Sequence, residues 1–503
     1  MSKHILSKLM LSSMVLASAP GCLADAELAG GGAIAESESA LSFGTTLLSG
    51  TTMVAKDTLT SANGAYTAIL QSDGNFVIYD NSTGKPTWAT GSNGPDRSLV
   101  LQGDGNLVIY AAGAAVWASG SAEQPTGAFF LELEDSGSLV LYKGTPASPE
   151  GTLWSSRDDR LIRKYAPIVR FHPDEDHFPV DMITFYRNSS LRNASGQLLL
   201  SEPQTEGPIA GASSADKEDY LDLAARVYAG EVTMTTSPGG FPMPGMTVTP
   251  PMDGYNAGAP MYAHVVDYTK DGVAYHEIVY SMLFAYNGCE MFRAGTKDDW
   301  WDSMTYTTFR WCAFGRHEGD WEHVTVRVNA ATGQVTDVYT NAHGRKDAHG
   351  RDDFEWRNNH PIVYVGLSSH GTYAHADTWH YETIIDADWG WAISGIAIPA
   401  GLYKLDVVDV TADGGHEWDS QRSVRLIGDA RAITRFRGRW GLNRLDNAQV
   451  QDPEGNVPYV EDLAMRDTAQ ALFDYTDELE RYRVGSGPNA PWTADWFWNG
   501  EGR

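Results

Sequence analysis

From Leu41 to about Trp154, apolar and polar positions alternate in short runs interrupted by Gly, Asn and Asp, the signature of half-buried strands joined by tight turns. The runs repeat. Leu70-Gln71-Ser72-Asp73-Gly74-Asn75-Phe76-Val77-Ile78-Tyr79 closes at Trp88, and Leu101-Gln102-Gly103-Asp104-Gly105-Asn106-Leu107-Val108-Ile109-Tyr110 closes at Trp117. A weaker copy, Glu134-Asp135-Ser136-Gly137-Ser138-Leu139-Val140-Leu141-Tyr142, closes at Trp154. Internal self-similarity of this kind predicts an all-β module over 41–157 in which each copy supplies one sheet.

Beyond about Arg160 the pattern changes to longer irregular stretches, such as Ser237 to Gly258, with more charge and more His. Ser213 with Asp216 resembles a capping box, Tyr220, Leu221, Ala224, Ala225 and Val227 lie downstream, and Gly230 can end the helix so predicted. A second helix is expected over Tyr459 to Tyr482. His323 to Val328 and Pro361 to Val365 are short and β-branched, as strands are. The expectation for 160–503 is a larger β-sandwich-like domain with peripheral helices, and the chain as a whole is expected to be mainly β.

A length of 503 residues suits two or three domains, and 42% hydrophobic residues with 16 Trp and 23 Tyr provide for packed cores. The net charge of -28 and the lack of a basic stripe in the sequence argue against a phosphate-binding surface of clustered Lys and Arg, so no nucleic-acid partner is expected. Lys3 and Lys8 precede the short apolar run Leu9 to Ala17, which reads as an export signal over 1–26, with a flexible linker over 27–40. Two exits are open: cleavage at the A-x-A-like Ala24 to Ala26, or lipidation of Cys22 and attachment at the cell surface. Cys289 and Cys312 are either bridged in that oxidising setting or two buried thiols.

Strand alternation places Gln71, Asp73, Asn75, Val77 and Tyr79 on one face, with Phe76 and Ile78 turned into the core. Gln102, Asp104, Asn106, Val108 and Tyr110 repeat the row. An amide, a carboxylate, a second amide and a phenol both donate to and accept from sugar hydroxyls, while valine meets the C–H face. Glu134, Ser136 and Ser138 replace these groups in the third copy, which is expected to be weak or dead. The Q-x-D-x-N-x-V-x-Y rows resemble those of the bulb-type, mannose-binding lectins. That resemblance implies a threefold β-prism over 41–157 and mannose-type glycans as partners.

In the second domain the densest chemistry is Gly315-Arg316-His317-Glu318-Gly319-Asp320-Trp321-Glu322-His323. Asp320 and Glu322 share a strand face, and a bend at Gly319 brings His317 over them, a candidate set for a divalent cation, calcium or magnesium. The alternative is a solvated strand. His343, His349, His370 and His375 are further ligands, acid–base groups or structural histidines. H-E-x-x-H, G-x-S-x-G and a glycine-rich phosphate loop are missing, so no catalytic residue is assigned.

Lys164 to Glu175 with Phe178-Pro179, Gly319 to Thr325, and Phe436-Arg437-Gly438-Arg439-Trp440-Gly441 together resemble the vacuolar-protein-sorting-associated sixty-two family. The spacing of His317, Asp320, Trp321 and Glu322 is also similar to the core heptapeptide of the necrosis- and ethylene-inducing toxins, which implies His317, Asp320 and Glu322 as cation ligands; Gly319 stands where that pattern has a second His. These features support three readings, in order: a secreted lectin with a metal-binding effector that acts at membranes, an adhesin, and a lectin-targeted hydrolase. Self-association is compatible with all three.

Overall fold

The computed structural model describes residues 40–123, 126–175, 177–201, 217–223, 233–236, 242–247, 259–287, 290–297, 304–311, 317–343, 345–386, 391–392, 402–441 and 487–499. The export signal, nearly all of the linker, the Cys289 and Cys312 pairing and the helix expected over 459–482 lie outside the described residues.

Twelve strands build the repeat region: β1 (Thr46–Leu48), β2 (Thr52–Met53), β3 (Thr58–Thr60), β4 (Tyr66–Leu70), β5 (Phe76–Asp80), β6 (Lys85–Ala89), β7 (Arg97–Leu101), β8 (Leu107–Ala111), β9 (Ala114–Ala118), β10 (Phe129–Leu133), β11 (Leu139–Thr145) and β12 (Ser148–Ser155). They form three four-stranded antiparallel sheets, β3-β4-β5-β6, β2-β7-β8-β9 and β1-β10-β11-β12. This is the expected β-prism. Each copy contributes three consecutive strands, whereas β1 and β2 leave the chain start to complete the third and second sheets. Closure therefore ties the beginning of the module to its end.

The closing tryptophans explain why the copies end alike. Trp88, Trp117 and Trp154 meet edge to face, with ring centroids 5.9, 5.5 and 6.0 Å apart. Such geometry sets the positive edge of one ring against the negative face of the next. Phe76, Ile78, Leu107 and Ile109 pack fully buried in the same core.

No linker separates the prism from the remainder of the chain, because β12 runs directly into α1 (Ser156–Tyr165). Ser155 caps the helix by accepting from Asp158 N, Asp158 and Asp159 lie in its positive first turn, and Arg163 and Lys164 in its last. Leu161, Ile162 and Tyr165 extend the prism core into the second region, where Tyr280 Oη donates to Ile162 O at 2.9 Å. A buried ion pair adds to this junction: Arg431 Nε lies 3.2 Å from Glu123 Oε1, and Ala432 N donates to Glu123 Oε2 at 2.7 Å.

The second region is dominated by a six-stranded sheet ordered 345–350, 335–342, 317–329, 273–287, 262–270 and 425–426. A five-stranded sheet is ordered 304–311, 290–297, 402–410, 378–386 and 391–392. The strands expected at His323 to Val328 and Pro361 to Val365 are present within His317–Asn329 and His360–Val365. The helix expected from Ser213 to Gly230 is not supported where it is described: Tyr220–Asp222 is a strand, antiparallel to Ser190–Arg192 and parallel to Arg439–Trp440. Leu221 is fully buried there, and tertiary pairing overrides the local helical spacing. Part of the stretch read as irregular also pairs, with Thr233–Thr236 antiparallel to Pro242–Thr247. Among the described residues no helix is long and apolar enough to cross a membrane.

Candidate functional site

The first two rows owe their geometry to a turn rather than to a pleat. Gln71 to Asn75 lies outside β4 and β5: Gly74 N donates to Gln71 O at 2.9 Å and Gln71 N to Asn75 O at 2.8 Å. The alternation expected from Gln71 through Tyr79 therefore holds only from Phe76 onward. Gly74 makes this turn possible. Its φ is +84°, and a Cβ would sit 2.1 Å from Gly94 O.

Within the turn each polar side chain is fixed by one atom and free at another. Asp73 Oδ1 accepts from Asn75 N at 3.0 Å. Gln71 Nε2 donates to Tyr79 Oη at 2.8 Å. Asn75 Oδ1 accepts from Gly91 N at 2.9 Å and from the Thr90 hydroxyl at 3.1 Å. A backbone N–H can only donate, so this contact fixes which end of the amide is oxygen and turns Nδ2 outward. The row thus presents a carboxylate oxygen of Asp73, the Nδ2 donor of Asn75, the amide of Gln71 and the phenol of Tyr79. Val77 is 2% exposed and floors it.

The second row is built the same way. Gln102 Nε2 donates to Tyr110 Oη at 2.7 Å, Asp104 Oδ1 accepts from Asn106 N at 3.0 Å, and Val108 is 2% exposed. Asn106 Oδ1 accepts from Gly120 N, Ser121 N and the Ser119 hydroxyl. Strand alternation gave no hint of these anchors. Their signal lay in the sequence nonetheless, since Trp88-Ala89-Thr90-Gly91-Ser92 recurs as Trp117-Ala118-Ser119-Gly120-Ser121.

The third row has lost this logic. Tyr142 Oη donates to Glu134 Oε1 at 2.5 Å, and Ser136 Oγ to Glu134 Oε2 at 3.2 Å, so the row's polar groups satisfy one another. Burial, reinforced by Glu134, holds the Tyr142 phenol far above its usual range. The row also has a wall opposite it. Together with His264, Ile427, Asp429 and Trp498 of the second region it lines a cleft of about 550 Å³.

In the second region, Asp320 and Glu322 do share a face, opposite Trp321. Trp321 packs with Trp440 and Trp492 at centroid distances of 5.3 and 5.2 Å, so the Gly319 to Thr325 and Phe436 to Gly441 stretches meet. Gly319 has φ +62°, and a Cβ there would lie 1.9 Å from Trp440 O, which closes the position to a histidine. The bend does not bring His317 onto the carboxylates. His317 Nδ1 lies 2.9 Å from Gly319 O and Nε2 lies 3.1 Å from Asn287 Nδ2.

Asp320 Oδ2 instead meets His370 Nδ1 at 3.0 Å, and His370 Nε2 lies 3.6 Å from Glu175 Oε1. His370 is fully buried and stacks on Phe284 at 3.8 Å. Burial acts to lower the pKa of this imidazole, but Asp320 and Glu175 outweigh it and raise the value to about 9. Burial likewise opposes ionisation of Glu175, yet His370 brings it to about 2. Glu322 receives Asn341 Nδ2 at 3.2 Å, and burial, then the nearby Asp320, push its pKa well up. His349 contacts the Thr340 hydroxyl at 3.2 Å, while His375 stands exposed beside Trp379.

His343 joins two residues outside the candidate set read from the sequence. Its Nε2 lies 2.9 Å from Asp409 Oδ2, and among the described residues Glu290, His343 and Asp409 are the one set of three such donors lying within 4.8 Å of one another. Glu290 and Asp409 carried no signal because they stand about 120 residues apart, on strands that only sheet pairing brings together.

Comparison with known proteins finds two separate likenesses. Residues 253–382 match the family model of vacuolar protein sorting-associated protein 62. No curated protein matches the chain. A monomeric monocot mannose-binding lectin from Gastrodia elata is 36% identical, over 22% of this chain and 96% of that one, with a TM-score of 0.20. The mannose-specific agglutinin of snowdrop (Galanthus nivalis) bulbs, solved with methyl-α-D-mannoside, is 34% identical, over 20% and 91%, with a TM-score of 0.19. A lectin from Allium sativum is also 34% identical, over 21% and 98%, with a TM-score of 0.18. The N-terminal region of the chain is thus similar to the bulb-type mannose-binding lectins, and residues 253–382 match the Vps62 family model.

Proposed function

We propose that the chain is an exported glycan-binding protein that holds mannose-type sugars at two sites. The first is formed by Gln71, Asp73, Asn75, Val77 and Tyr79, the second by Gln102, Asp104, Asn106, Val108 and Tyr110. The observation that carries the reading is the pinning of Asn75 and Asn106 by backbone N–H groups, which leaves an outward donor beside an outward carboxylate oxygen in both rows. That donor–acceptor pair complements the vicinal hydroxyls of a pyranose ring. Shallow single-sugar sites bind at about millimolar Kd, near -4 kcal/mol, so useful affinity comes from both rows engaging one glycan-rich surface. The second region is then the cargo that the lectin brings to that surface.

The test is a glycan array with the full chain, Asp73→Ala, Asp104→Ala and the double variant. Mannose-type glycans should bind the parent, and the double variant should lose the signal while keeping its thermal transition. Retained binding in a folded double variant sinks the proposal.

A further inference from the structure

We propose that Glu290, His343 and Asp409 form a binding site for one divalent cation of the zinc class. The three side chains come from separate places: Glu290 opens strand 290–297, Asp409 lies near the end of strand 402–410, and His343 sits in the loop after strand 335–342. Strands 290–297 and 402–410 pair with Phe292 opposite Val407 and Ala294 opposite Leu405. The same register, continued toward the strand end, sets Glu290 opposite Asp409. Like charges directly opposite on a ladder are destabilising, so the pair calls for a positive partner.

Two carboxylate oxygens of this set are buried without a hydrogen bond, Glu290 Oε1 and Asp409 Oδ1, and Asp409 as a whole is 0% exposed. Orphaned buried acceptors are rare and costly, and their coincidence with an imidazole within 4.8 Å is what points to a ligand. The rest of the surroundings holds the set in place. Tyr373 Oη donates to Asp409 Oδ2, and the Tyr381 ring lies 4.2 Å from that of His343. His343 takes φ +50° just past strand 335–342, and its Nε2 reaches Asp409 Oδ2 on the other sheet.

The donor set selects the kind of ion. One imidazole nitrogen with two carboxylates suits a borderline cation such as Zn²⁺ or Mn²⁺ better than Ca²⁺, which takes six to eight oxygens. Ligands about 2.1 Å from a tetrahedral Zn²⁺ lie about 3.4 Å from one another, so the atoms need contract by no more than about 1.4 Å. Two carboxylates and a neutral imidazole balance a divalent charge, and a fourth position is left for water or an external ligand. His343 and Glu290 are partly exposed and give the ion a way in. The site shares no residue with the sugar rows or with the His317, Asp320 and Glu322 set.

The experiment is isothermal titration of chelator-treated full-length protein with Zn²⁺, Mn²⁺ and Ca²⁺. One Zn²⁺ per chain is expected, with Ca²⁺ weaker. Glu290→Gln, the isosteric change at a partly exposed member, and Asp409→Asn should each weaken Zn²⁺ binding at least about 10-fold. His317→Ala should leave it unchanged. Cobalt substitution gives a second readout, because a visible d–d band that disappears in His343→Ala reports the imidazole as a ligand. Absence of Zn²⁺ binding by the parent overturns the proposal, as does unchanged affinity in Glu290→Gln or loss of binding confined to His317→Ala.

Discussion

Asn75→Asp is the sharpest probe of the sugar rows, because it keeps the shape of the side chain and reverses one atom. The oxygen that accepts from Gly91 N and the Thr90 hydroxyl is retained, so the turn should stand. The outward Nδ2 donor becomes a second carboxylate oxygen beside Asp73. One hydrogen bond to the sugar is lost, worth about 1 kcal/mol, and a buried sugar hydroxyl and carboxylate are left unmatched for about 1–3 kcal/mol more. The total of about 2–4 kcal/mol weakens a millimolar site at least about 30-fold, out of the measurable range. Calorimetric titration with methyl-α-mannoside should therefore fall from two sites to one in Asn75→Asp, likewise in Asn106→Asp, and to none in the double variant. On immobilised mannan the single variant should already lose the avidity factor of about 10²–10⁴. A stoichiometry that stays at two in Asn75→Asp would refute the assignment of the amide.

Buried charges set two further outcomes. Arg431→Ala should cost about 3–5 kcal/mol in thermal or denaturant unfolding, because Glu123, 5% exposed, is left without its cation; Glu123→Leu combined with Arg431→Met should recover most of that loss. The His370 and Glu175 pair sets a pH window. With its pKa raised from 6.5 to about 9, His370 contributes stability that is complete below about 6.5 and is lost as pH rises through about 9. Glu175, lowered from 4.5 to about 2, contributes stability that is complete above about 4.5 and is lost as pH falls toward 2. This pair favours the window between about 4.5 and 6.5, and His370→Asn should make the alkaline limb shallower by up to about 3 kcal/mol, leaving the part carried by His343, also raised to about 9. An alkaline limb of the same depth in that variant would assign the pH dependence to other groups.

Local pattern was enough for the repeat module. Period-two alternation placed Phe76 and Ile78 in the core, and the Trp that ends each copy marked the three rings that meet edge to face. It was not enough for the turns, where Asp73 and Asn75 take their directions from Gly74 and from the Thr90-Gly91 anchor rather than from a pleat. Tyr220 to Asp222 shows the same limit in the second region, since three residues with helical spacing became a strand once two neighbours offered them backbone partners.

What the sequence by itself determined is whatever depends on neighbours along the chain: strand period, turn chemistry, the two matched rows and the decay of the third. What tertiary structure alone decided is which distant groups share a space. It set Glu290 against Asp409 and His343, placed His370 between Asp320 and Glu175, and walled the third row with the loop around Ile427 to Asp429. The physical reason is that a carboxylate's partner is chosen by sheet register and packing, which sum contacts over the whole chain, whereas a strand's period is written in its own few residues.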